Sequence, residues 1–265
     1  MIDLHTHVLP GLDDGAQNEQ EALDLLRLAA ADGTHTMVLT PHSGNWAGWR
    51  TKDDVGERVD TLQAAARDAG IAVRLVAGAE IMIEADVVER TAELVRLGDS
   101  RYVLVELPHD EYPESTDNVI FSLQLAGLVP VLAHPERNAM LQEQPTRLHE
   151  FVERGVLAQV TAQSIVGALG SAVQGTAELF LSCGLAHVIA SDTHRADTRP
   201  PGLASAVEQA ARICGPRFAL AMVEDIPRRL LADQVLTFEP PAEPVPTRSW
   251  FGEATGMLRK ALSGP

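Results

Sequence analysis

Short apolar runs alternate with longer segments of helical periodicity along most of the chain. The short runs are rich in Val, Ile, Ala and Leu and predict β-strands, whereas the longer segments carry apolar residues three and four positions apart and predict helices. Seven strands are predicted, at residues 2–4, 36–39, 73–77, 102–106, 129–133, 158–161 and 187–190. This alternation is typical of an α/β fold in which parallel strands are joined by crossover helices.

The predicted helices lie between these strands. They span residues 19–31, 52–69, 85–96, 118–126, 146–154 and 171–183, and a short helix is expected at 226–231. Gly33, Gly70 and Gly184 follow the last turns of three of them, where glycine commonly ends a helix because it adopts the left-handed conformation.

Six of the seven predicted strands are followed at once by a polar cluster, and only the strand at 158–161 is not. The clusters are Asp3-Leu4-His5-Thr6-His7, Thr40-Pro41-His42, Gly78-Ala79-Glu80, Val105-Glu106-Leu107, Ala133-His134-Pro135-Glu136-Arg137 and Ser191-Asp192-Thr193-His194. In a parallel barrel the carboxyl ends of all strands share one face, where catalytic groups characteristically sit. We therefore expect a somewhat irregular seven-stranded (β/α) barrel with these side chains gathered at one mouth.

The histidines in these clusters are candidate metal ligands. His5 and His7 lie two apart at the end of a strand, so their side chains point the same way and suit one ion. A lone histidine such as His42 or His134 is more often structural, and the repeated placement after strands is what favours ligation. A structural role is expected for the remaining histidines: His35, His109, His149 and His187.

Acidic residues supply the complementary ligands. Glu80 follows small residues that let a carboxylate approach closely packed ions, and its two oxygens suit a bridge. Glu106 ends an apolar strand, where a buried charge must be compensated by a metal or by a cationic side chain. Asp13 and Asp14 share a turn in which one of them can simply cap the following helix.

The last two clusters add arginines. Asp192 and His194 repeat the alternation of the first strand, and Arg199 follows them in a loop restricted by prolines. Arg137 follows the cluster that contains His134. Guanidinium groups bind phosphate oxygens bidentately, and a solvent-exposed salt bridge is the alternative for each arginine.

The net charge of the chain makes one class of function, general nucleic-acid binding, improbable on electrostatic grounds. The formal net charge is -16, with 37 acidic and 21 basic residues, and this balance argues against a general nucleic-acid binder. No apolar stretch approaches the roughly 20 residues that span a bilayer, and the start of the sequence lacks an export signal. We therefore expect a cytoplasmic protein without membrane insertion.

The residues that follow the two cysteines argue against a nucleophilic thiol. Cys183 and Cys214 are the two cysteines, which are too few for a disulfide framework and are expected to be packed as apolar thiols. Cysteine-dependent tyrosine phosphatases need an arginine six residues after the nucleophile, and here those positions hold Ile189 and Leu220. A nucleophilic thiol therefore has no support.

The composition changes near the carboxyl end. We predict a barrel over residues 1–237, a Pro-rich extended linker over 238–249 and a helical tail over 250–265. The tail carries apolar residues at partly helical spacing. Docking on the barrel is the simpler interpretation, and contact with a protein or another subunit, including a homo-oligomer, is the alternative.

The ordered set of motifs resembles the polymerase-and-histidinol-phosphatase (PHP) superfamily. Within it, the chain looks like the bacterial metal-dependent protein-tyrosine phosphatases of capsular and exopolysaccharide operons. The resemblance covers residues 1–231 and includes Asp13-Asp14-Gly15 besides the six clusters. It implies a PHP-type, TIM-like barrel with two or three divalent metal ions.

The resemblance also implies residue roles. One metal would be held by His5, His7, Glu80 and Asp192, a second by Glu80, Glu106 and His134, and a third by Asp14, His42 and His194. Arg137 and Arg199 would contact the substrate phosphate. By resemblance the metal is manganese, although mixed imidazole and carboxylate ligands also suit Fe, Zn or Co.

The implied reaction is attack of a metal-activated water on the phosphorus of a phosphomonoester, with Asp192 or His194 as candidates to assist with protons. The leading hypothesis is a phosphotyrosine phosphatase that acts on a bacterial tyrosine autokinase controlling capsule or exopolysaccharide synthesis. The second is a histidinol phosphatase or another small-molecule phosphoesterase. The third is a non-catalytic regulator that binds metal or a phosphorylated protein.

Overall fold

The computed structural model describes residues 1–244, and this part of the chain contains nine strands and ten α-helices. The strands are β1 (Ile2–Thr6), β2 (Thr36–Leu39), β3 (His42–Ser43), β4 (Arg74–Ala77), β5 (Glu80–Met82), β6 (Tyr102–Glu106), β7 (Val129–Ala133), β8 (Leu157–Thr161) and β9 (Val188–Ala190). The helices are α1 (Glu19–Ala31), α2 (Lys52–Asp68), α3 (Thr116–Leu125), α4 (Ala139–Glu143), α5 (Thr146–Glu153), α6 (Ala162–Ile165), α7 (Ser171–Ser182), α8 (Ala204–Cys214), α9 (Pro216–Ala221) and α10 (Asp225–Leu231).

All paired strands are parallel, and they form two sheets in the orders β1-β2-β4 and β3-β5-β6-β7-β8-β9. The division arises because the chain is interrupted between β2 and β3 at Thr40-Pro41 and between β4 and β5 at Gly78-Ala79; the short strands β3 and β5 were not predicted. Backbone hydrogen bonds bridge the breaks, from Gly78 N to Leu39 O at 3.0 Å and from Glu80 N to Pro41 O at 3.1 Å.

The first and last strands also approach each other. Asp192 N donates to His5 O at 2.9 Å, and His7 N donates to Thr193 O at 2.8 Å. The predicted parallel α/β architecture is therefore confirmed. The structure resolves it as two sheets, and a single closed seven-stranded barrel stays a prediction.

The sequence located most of the regular elements. All seven predicted strands are confirmed, with ends that differ by at most two residues. The predicted helices at 19–31, 52–69, 118–126, 146–154, 171–183 and 226–231 are confirmed to the same accuracy. Periodicity worked well here because most of these helices bury one apolar stripe; in α1, for example, Leu23, Leu25 and Leu26 are buried.

The helix predicted at 85–96 is wrong. The chain forms a 3-10 helix at Ala85–Val87 and continues in turns, in which Arg90 N donates to Val87 O and Glu93 N to Arg90 O. The Thr91 hydroxyl donates to the carbonyls of Val87 and Val88, at 3.2 and 2.8 Å. Threonines inside α2 and α7 make the same i−4 contact, so these bonds do not by themselves end a helix.

Four helices were not predicted: α4, α6, α8 and α9. Helices α4 and α6 have five and four residues, which is too short for a periodic pattern. In α8 the buried residues are Ala206 and Ala210, so its buried stripe lacks the large side chains that periodicity detects.

The strands are buried on both faces, as expected for parallel strands covered by helices. Every residue of β1, β6 and β8 is buried. This burial explains the continuous apolar runs in the sequence. It also means that a polar side chain inside these strands lies in the protein interior, where it needs a partner.

The described part of the Pro-rich segment, residues 238–244, contains no helix or strand. Phe238 packs edge-on against the His187 ring, and Ala242 N donates to Cys183 O at 2.9 Å. The predicted tail at 250–265 lies outside the described residues. Within residues 1–244, no helix has both the length and the apolar character that a bilayer span requires.

Gly15 marks the closest backbone approach near the carboxyl ends of the strands. A Cβ atom at this position would lie 1.8 Å from His7 O, so the neighbouring backbone leaves no room for a side chain. Ala16 N donates to the same carbonyl at 3.1 Å. The loop that carries Asp13 and Asp14 is thereby fixed against the end of β1.

We expect Gly15→Ala to destabilise the protein because the loop must move away from β1. The expected loss in the free energy of unfolding is about 2–4 kcal/mol, typical of substitutions that force a backbone clash. Chemical denaturation of the purified variant measures this loss.

Gly56→Ala is the matched control. Gly56 lies in α2, where a Cβ meets nothing within 4 Å. The same chemical change should stabilise the protein by about 0.5–1 kcal/mol, because alanine favours helix over the unfolded chain. Equal effects of the two substitutions would contradict the packing assigned to Gly15.

Candidate metal centre

Polar side chains from separate strands converge at the carboxyl ends of the two sheets. The contributing positions are His5 in β1 and His7 just after it, His42 in β3, Glu80 in β5, Glu106 in β6, His134 after β7, and Asp192 and His194 after β9. The side chains of His5, His7, Glu80 and Asp192 are at most 1% exposed. Asp14 differs, because its side chain is 64% exposed at the rim of the cluster.

Glu80 lies at the centre of the cluster. Three imidazole nitrogens surround its Oε2 atom: His5 Nε2 at 3.2 Å, His7 Nε2 at 3.2 Å and His42 Nδ1 at 3.1 Å. Despite these short distances, Oε2 is buried and none of the three has hydrogen-bond geometry toward it. The nitrogens and the oxygen therefore face a common space rather than each other.

This arrangement fits a divalent cation. Metal bonds to nitrogen and oxygen of about 2.0–2.2 Å place adjacent ligands on one ion roughly 3 Å apart. His5 Nε2 and His7 Nε2 lie 3.1 Å apart, and each is 3.2 Å from Glu80 Oε2. The unpartnered carboxylate oxygen and the spacing of the donors thus both suit a shared ion.

Asp192 completes the first group. Its Oδ1 atom lies 3.4 Å from His5 Nε2 and 3.5 Å from His7 Nε2. The four residues that the resemblance assigned to one metal are therefore neighbours in space. Their donors come from the first and last strands and from β5, so the group connects both sheets.

The second group differs from the one expected. His42 Nδ1 lies 3.0 Å from Glu106 Oε1 and 3.1 Å from Glu80 Oε2, and these three residues form a compact set. His134 Nε2 is 2.8 Å from Glu80 Oε1 but 3.8 Å from Glu106 Oε2. The geometry thus places His42 beside both glutamates, and His134 lies nearer to Glu80 than to Glu106.

The third group combines Asp14 with imidazoles at the rim. Its members are His7, Asp14, His42 and His194. Asp14 Oδ1 lies 3.3 Å from His194 Nε2 and 3.5 Å from His42 Nε2. The three residues expected here are thus brought together, and His7 joins them from the first group.

Three ligand candidates have a second partner that fixes the ring. His5 Nδ1 donates to Gln159 Oε1 and His7 Nδ1 donates to Asp13 Oδ2, both at 2.8 Å. His194 Nδ1 donates to the backbone carbonyl of Asp192 at 2.9 Å. Because these oxygens accept the Nδ1 proton, each Nε2 presents a lone pair to the cluster.

Arg199 gives a competing contact to His194. Its Nη1 atom lies 3.1 Å from Nδ1 and 3.3 Å from Nε2 of that ring. Nearly equal distances to both nitrogens indicate that the guanidinium lies over the ring face, because an in-plane hydrogen bond would favour one nitrogen. The carbonyl of Asp192, which can only accept, therefore determines the proton position.

Both candidate phosphate-binding arginines converge on Asp192. Arg137 Nη1 donates to Asp192 Oδ2 at 2.7 Å, and Arg199 Nη1 donates to the same oxygen at 3.0 Å. The arginine side chains are 13% and 25% exposed, so they reach from the cluster to its opening. Asp192 thus faces the imidazoles with one oxygen and the guanidiniums with the other.

The backbone is strained at two of these positions. His134 has φ of 33° and Asp192 has φ of 53°, in the left-handed region that side chains rarely adopt. Within residues 1–244 the only other such residue besides glycine is Asp233. Strain of this kind persists where surrounding contacts enforce it, and it is common at functional sites.

When no cation neutralises the carboxylates, the imidazoles hold protons. Burial opposes a charge on His7, but its hydrogen bond with Asp13 and the adjacent Glu80 carboxylate raise its pKa to about 9. Burial also opposes a charge on His42, but Glu106 and Glu80 raise its pKa to about 11. Cations and protons therefore compete for these nitrogens.

The remaining groups are shifted mainly by burial. Burial and the charge of Glu80 raise the pKa of Glu106. Burial lowers the pKa of His134 to about 4, although its hydrogen bond to Glu80 acts in the opposite direction. Burial likewise lowers the pKa of His194, against the raising effect of Asp14. His134 and His194 are therefore neutral at pH 7, as metal binding requires.

Asp13 and Gln159 make hydrogen bonds to the candidate ligands His7 and His5, and these contacts were not predicted from the sequence. Asp13 or Asp14 was a candidate cap for the following helix, but Asn18 caps α1 by accepting a hydrogen bond from Glu21 N. Asp13 Oδ2 instead accepts hydrogen bonds from His7 Nδ1 and from His42 N. Gln159 lies in β8, the strand without a following polar cluster. The signal was present, because a glutamine inside an apolar strand needs a buried partner.

Two of the histidines expected to be structural have distinct surroundings. His187 is buried at the start of β9 and its Nδ1 accepts from Ala158 N at 3.1 Å, as a structural residue would. His109 stacks on His134, with ring centroids 5.5 Å apart and an interplanar angle of 26°. His109 therefore borders the cluster.

Comparisons with known proteins show which family the chain is similar to. The family described as "Capsular polysaccharide synthesis, CpsB/CapC" matches residues 1–232. The chain is 33% identical to Tyrosine-protein phosphatase YwqE of Bacillus subtilis, over 95% of this chain and 99% of the relative. It is 30% identical to Putative tyrosine-protein phosphatase CapC of Staphylococcus aureus, over 95% of this chain and 99% of that relative.

A solved structure is also similar. It comes from work on YwqE from Bacillus subtilis and CpsB from Streptococcus pneumoniae, which are described as unique metal-dependent tyrosine phosphatases. The TM-score is 0.87 at 32% sequence identity, and the match covers 92% of this chain and 99% of that chain. The similarity therefore extends over nearly the whole of both chains.

We expect Gln159→Leu to weaken metal binding because His5 loses the acceptor that fixes its ring. Loss of such a supporting partner typically lowers metal affinity by about 10–100-fold. Competition with a chromophoric chelator measures the affinity. Gln124→Leu in α3 is the control, since Gln124 donates to Arg154 O away from the cluster and should leave metal binding unchanged.

Metal binding should release protons at neutral pH. Below about pH 9, His7 is protonated in the metal-free protein, so the cation must displace that proton, and a rise in pH removes the competition. Affinity is therefore expected to increase from about pH 6 to about pH 8. Calorimetric titration with Mn²⁺ in buffers of different ionisation enthalpy measures the release. A pH-independent affinity with no released proton would contradict the assigned pKa shifts.

Proposed function

The chain belongs to the CpsB/CapC family of capsular polysaccharide synthesis proteins, and from that premise we propose that it is a metal-dependent protein-tyrosine phosphatase. The observation that carries the proposal is the convergence of imidazoles and carboxylates on Glu80 Oε2, beside two arginines that meet at Asp192. The relatives named tyrosine-protein phosphatases support the same activity.

We assign two or three divalent ions to the cluster. The first set of ligands is His5, His7, Glu80 and Asp192; the second is Glu80 and Glu106 with His134 or His42; and the third is Asp14, His42 and His194. Proximity to both glutamates favours His42 in the second set. When bound, the ions supply Lewis-acid charge and activate the attacking water.

The arginines bind the substrate phosphate in this proposal. Arg137 and Arg199 each use Nη1 to hold Asp192, and each guanidinium has further N–H donors for phosphoryl oxygens. Negative charge grows on those oxygens and on the leaving oxygen in the transition state. Donors fixed in advance by Asp192 stabilise that charge without reorganisation.

A tyrosine leaving group has less need of a general acid. The tyrosine phenol has a pKa of about 10 and therefore departs as a phenolate more readily than an alcohol departs as an alkoxide. Asp192 is a poor proton donor: burial alone would raise its carboxyl pKa, but the charges of His5 and Arg199 outweigh burial and lower it. His194 is the other candidate; because its Nδ1 is bonded to the Asp192 carbonyl, it could move a proton only through Nε2, and only where that nitrogen does not bind a metal ion.

The finer features of the proposal follow from the resemblance and the family. The substrate is a phosphotyrosine protein, specifically a bacterial tyrosine autokinase that controls capsule or exopolysaccharide synthesis, and the compartment is the cytoplasm. Manganese is the proposed metal. The two sheets are proposed to act as one PHP-type barrel over residues 1–237, followed by a linker at 238–249 and a helical tail at 250–265.

The test is phosphate release by metal-stripped protein after separate addition of Mn, Fe, Zn or Co ions. We expect release from a phosphotyrosine peptide, with manganese the most effective ion, and loss of release with a chelator. Thiol alkylation should leave the activity intact because no cysteine lies in the cluster. Preference for histidinol phosphate would overturn the substrate, and binding without turnover would indicate a non-catalytic regulator.

Arginine variants connect that activity to the cluster. Arg137→Ala should reduce kcat by about 100–1000-fold, as loss of a preorganised donor does in other enzymes. Arg27→Ala is the control, because Arg27 is exposed in α1 and pairs only with Asp24 among the described residues. Equal rates for both variants would exclude Arg137 from phosphate stabilisation.

A further inference from the structure

Trp46 is a large aromatic side chain left exposed beside the metal centre. Its relative exposure is 59%, and its ring lies 4.8 Å from the His42 ring at an angle of 58°. The nearby Trp49 is more buried and packs against the core, with Arg90 over its ring. Packing therefore accounts for Trp49 but leaves most of the Trp46 surface open at the edge of the site.

The loop that carries Trp46 is firmly held. Arg50 Nε donates to His42 O at 3.0 Å, and Arg50 Nη2 donates to Leu12 O and Ala47 O at 2.8 Å each. Asn45 N donates to Glu84 Oε2 at 3.0 Å. These contacts fix the loop between β3 and α2 to the strand that bears His42, so the position of Trp46 is defined relative to the cluster.

Arg50 holds the loop in place. Its Nε and Nη2 donors are bound to backbone carbonyls, in contrast to Arg137 and Arg199, which meet at a carboxylate in the cluster. Beside the cluster, the loop contributes the apolar surface of Trp46. A phosphate needs no such surface, but the group that carries the phosphate can use it.

A second ring borders the cluster from another strand. His109 is exposed in the loop after β6 and stacks on His134, which follows β7. Trp46 follows β3, and the strand order β3-β5-β6-β7 puts Glu80 and Glu106 between the two loops. Exposed rings therefore border the carboxylate pair from the β3 side and from the β6–β7 side.

We propose that Trp46, with His109, forms an aryl-binding subsite that recognises the phenyl ring of the substrate. Trp46 is the principal contact, because an indole offers the larger face, and His109 borders the ring from the other loop. The inference rests on the proposed phosphatase function and adds a determinant of specificity to it. Neither residue takes part in bond making or breaking.

The chemistry favours a ring over an alkyl group. Aromatic pairs contribute attraction beyond the apolar area that they bury, whereas a serine or threonine side chain is too short to cover an indole at the rim. Metal ions and arginines bind the phosphate of any monoester equally well. Discrimination for phosphotyrosine therefore needs a contact outside the phosphate site, and Trp46 is suitably placed for that contact.

The test compares inhibition by phenylphosphonate and methylphosphonate, which share the phosphate-like group but differ in the ring. For the manganese-loaded protein, Trp46→Ala should raise the inhibition constant of phenylphosphonate by about 5–10-fold, consistent with loss of one aromatic contact. The constant for methylphosphonate should not change. With a phosphotyrosine peptide as substrate, KM should rise while kcat is nearly retained, and Trp46→Phe should restore most of the loss.

Phe121→Ala is the matched control, since Phe121 is 58% exposed on α3 and is not among the residues of the site. It should change neither inhibition constant. An unchanged phenylphosphonate constant in Trp46→Ala, or an equal loss for both phosphonates, would overturn the aryl subsite. Absence of phosphate release by the wild-type protein would instead overturn the proposed function, so the two failures are distinguishable.

Discussion

The buried carboxylate of Glu80 is the constraint on which the site depends. A carboxylate removed from water is strongly destabilising unless positive charge or hydrogen bonds replace its hydration. Around Oε2 the protein supplies three imidazole nitrogens at 3.1–3.2 Å, without hydrogen-bond geometry. Such a group is stable either with protons on the imidazoles or with cations among the ligands. Both the pKa shifts and the metal-binding potential therefore come from one buried charge.

The fold holds this group in place with two residues whose backbone conformation is rare among the described residues. Strain at His134 and Asp192, each in the left-handed region, costs about 1–3 kcal/mol per residue. The neighbouring structure offsets it, since Asp192 N is bonded to His5 O and Asp192 Oδ2 accepts from both arginines. The same contacts connect the last strand to the first. The contact between the first and last strands and the geometry of the site are thus provided by shared residues.

The sequence predicted which residues form the site better than it predicted which of those residues contact each other. His5, His7 and Asp192 could be recognised because polar residues that end parallel strands must meet at one face. The position of His42 beside Glu106 could not, because it depends on how the short strands β3 and β5 direct their side chains. Gln159 was missed because it lies within a strand instead of after one. The helix predicted at 85–96 was wrong because periodicity alone does not distinguish a helix from successive turns with i to i+3 hydrogen bonds.

Charge explains how an acidic protein can bind an anion. Asp13, Asp14, Glu80, Glu106 and Asp192 bring up to five negative charges to the cluster, and two arginines offset part of them. Without metal, protons on His7 and His42 offset more of this charge. Once those protons are displaced, two divalent cations would reverse the sign of the local charge, because the ions are the largest charges in such a site. The proposed phosphate binding would then depend on the ions, even though the net charge of the whole chain is -16.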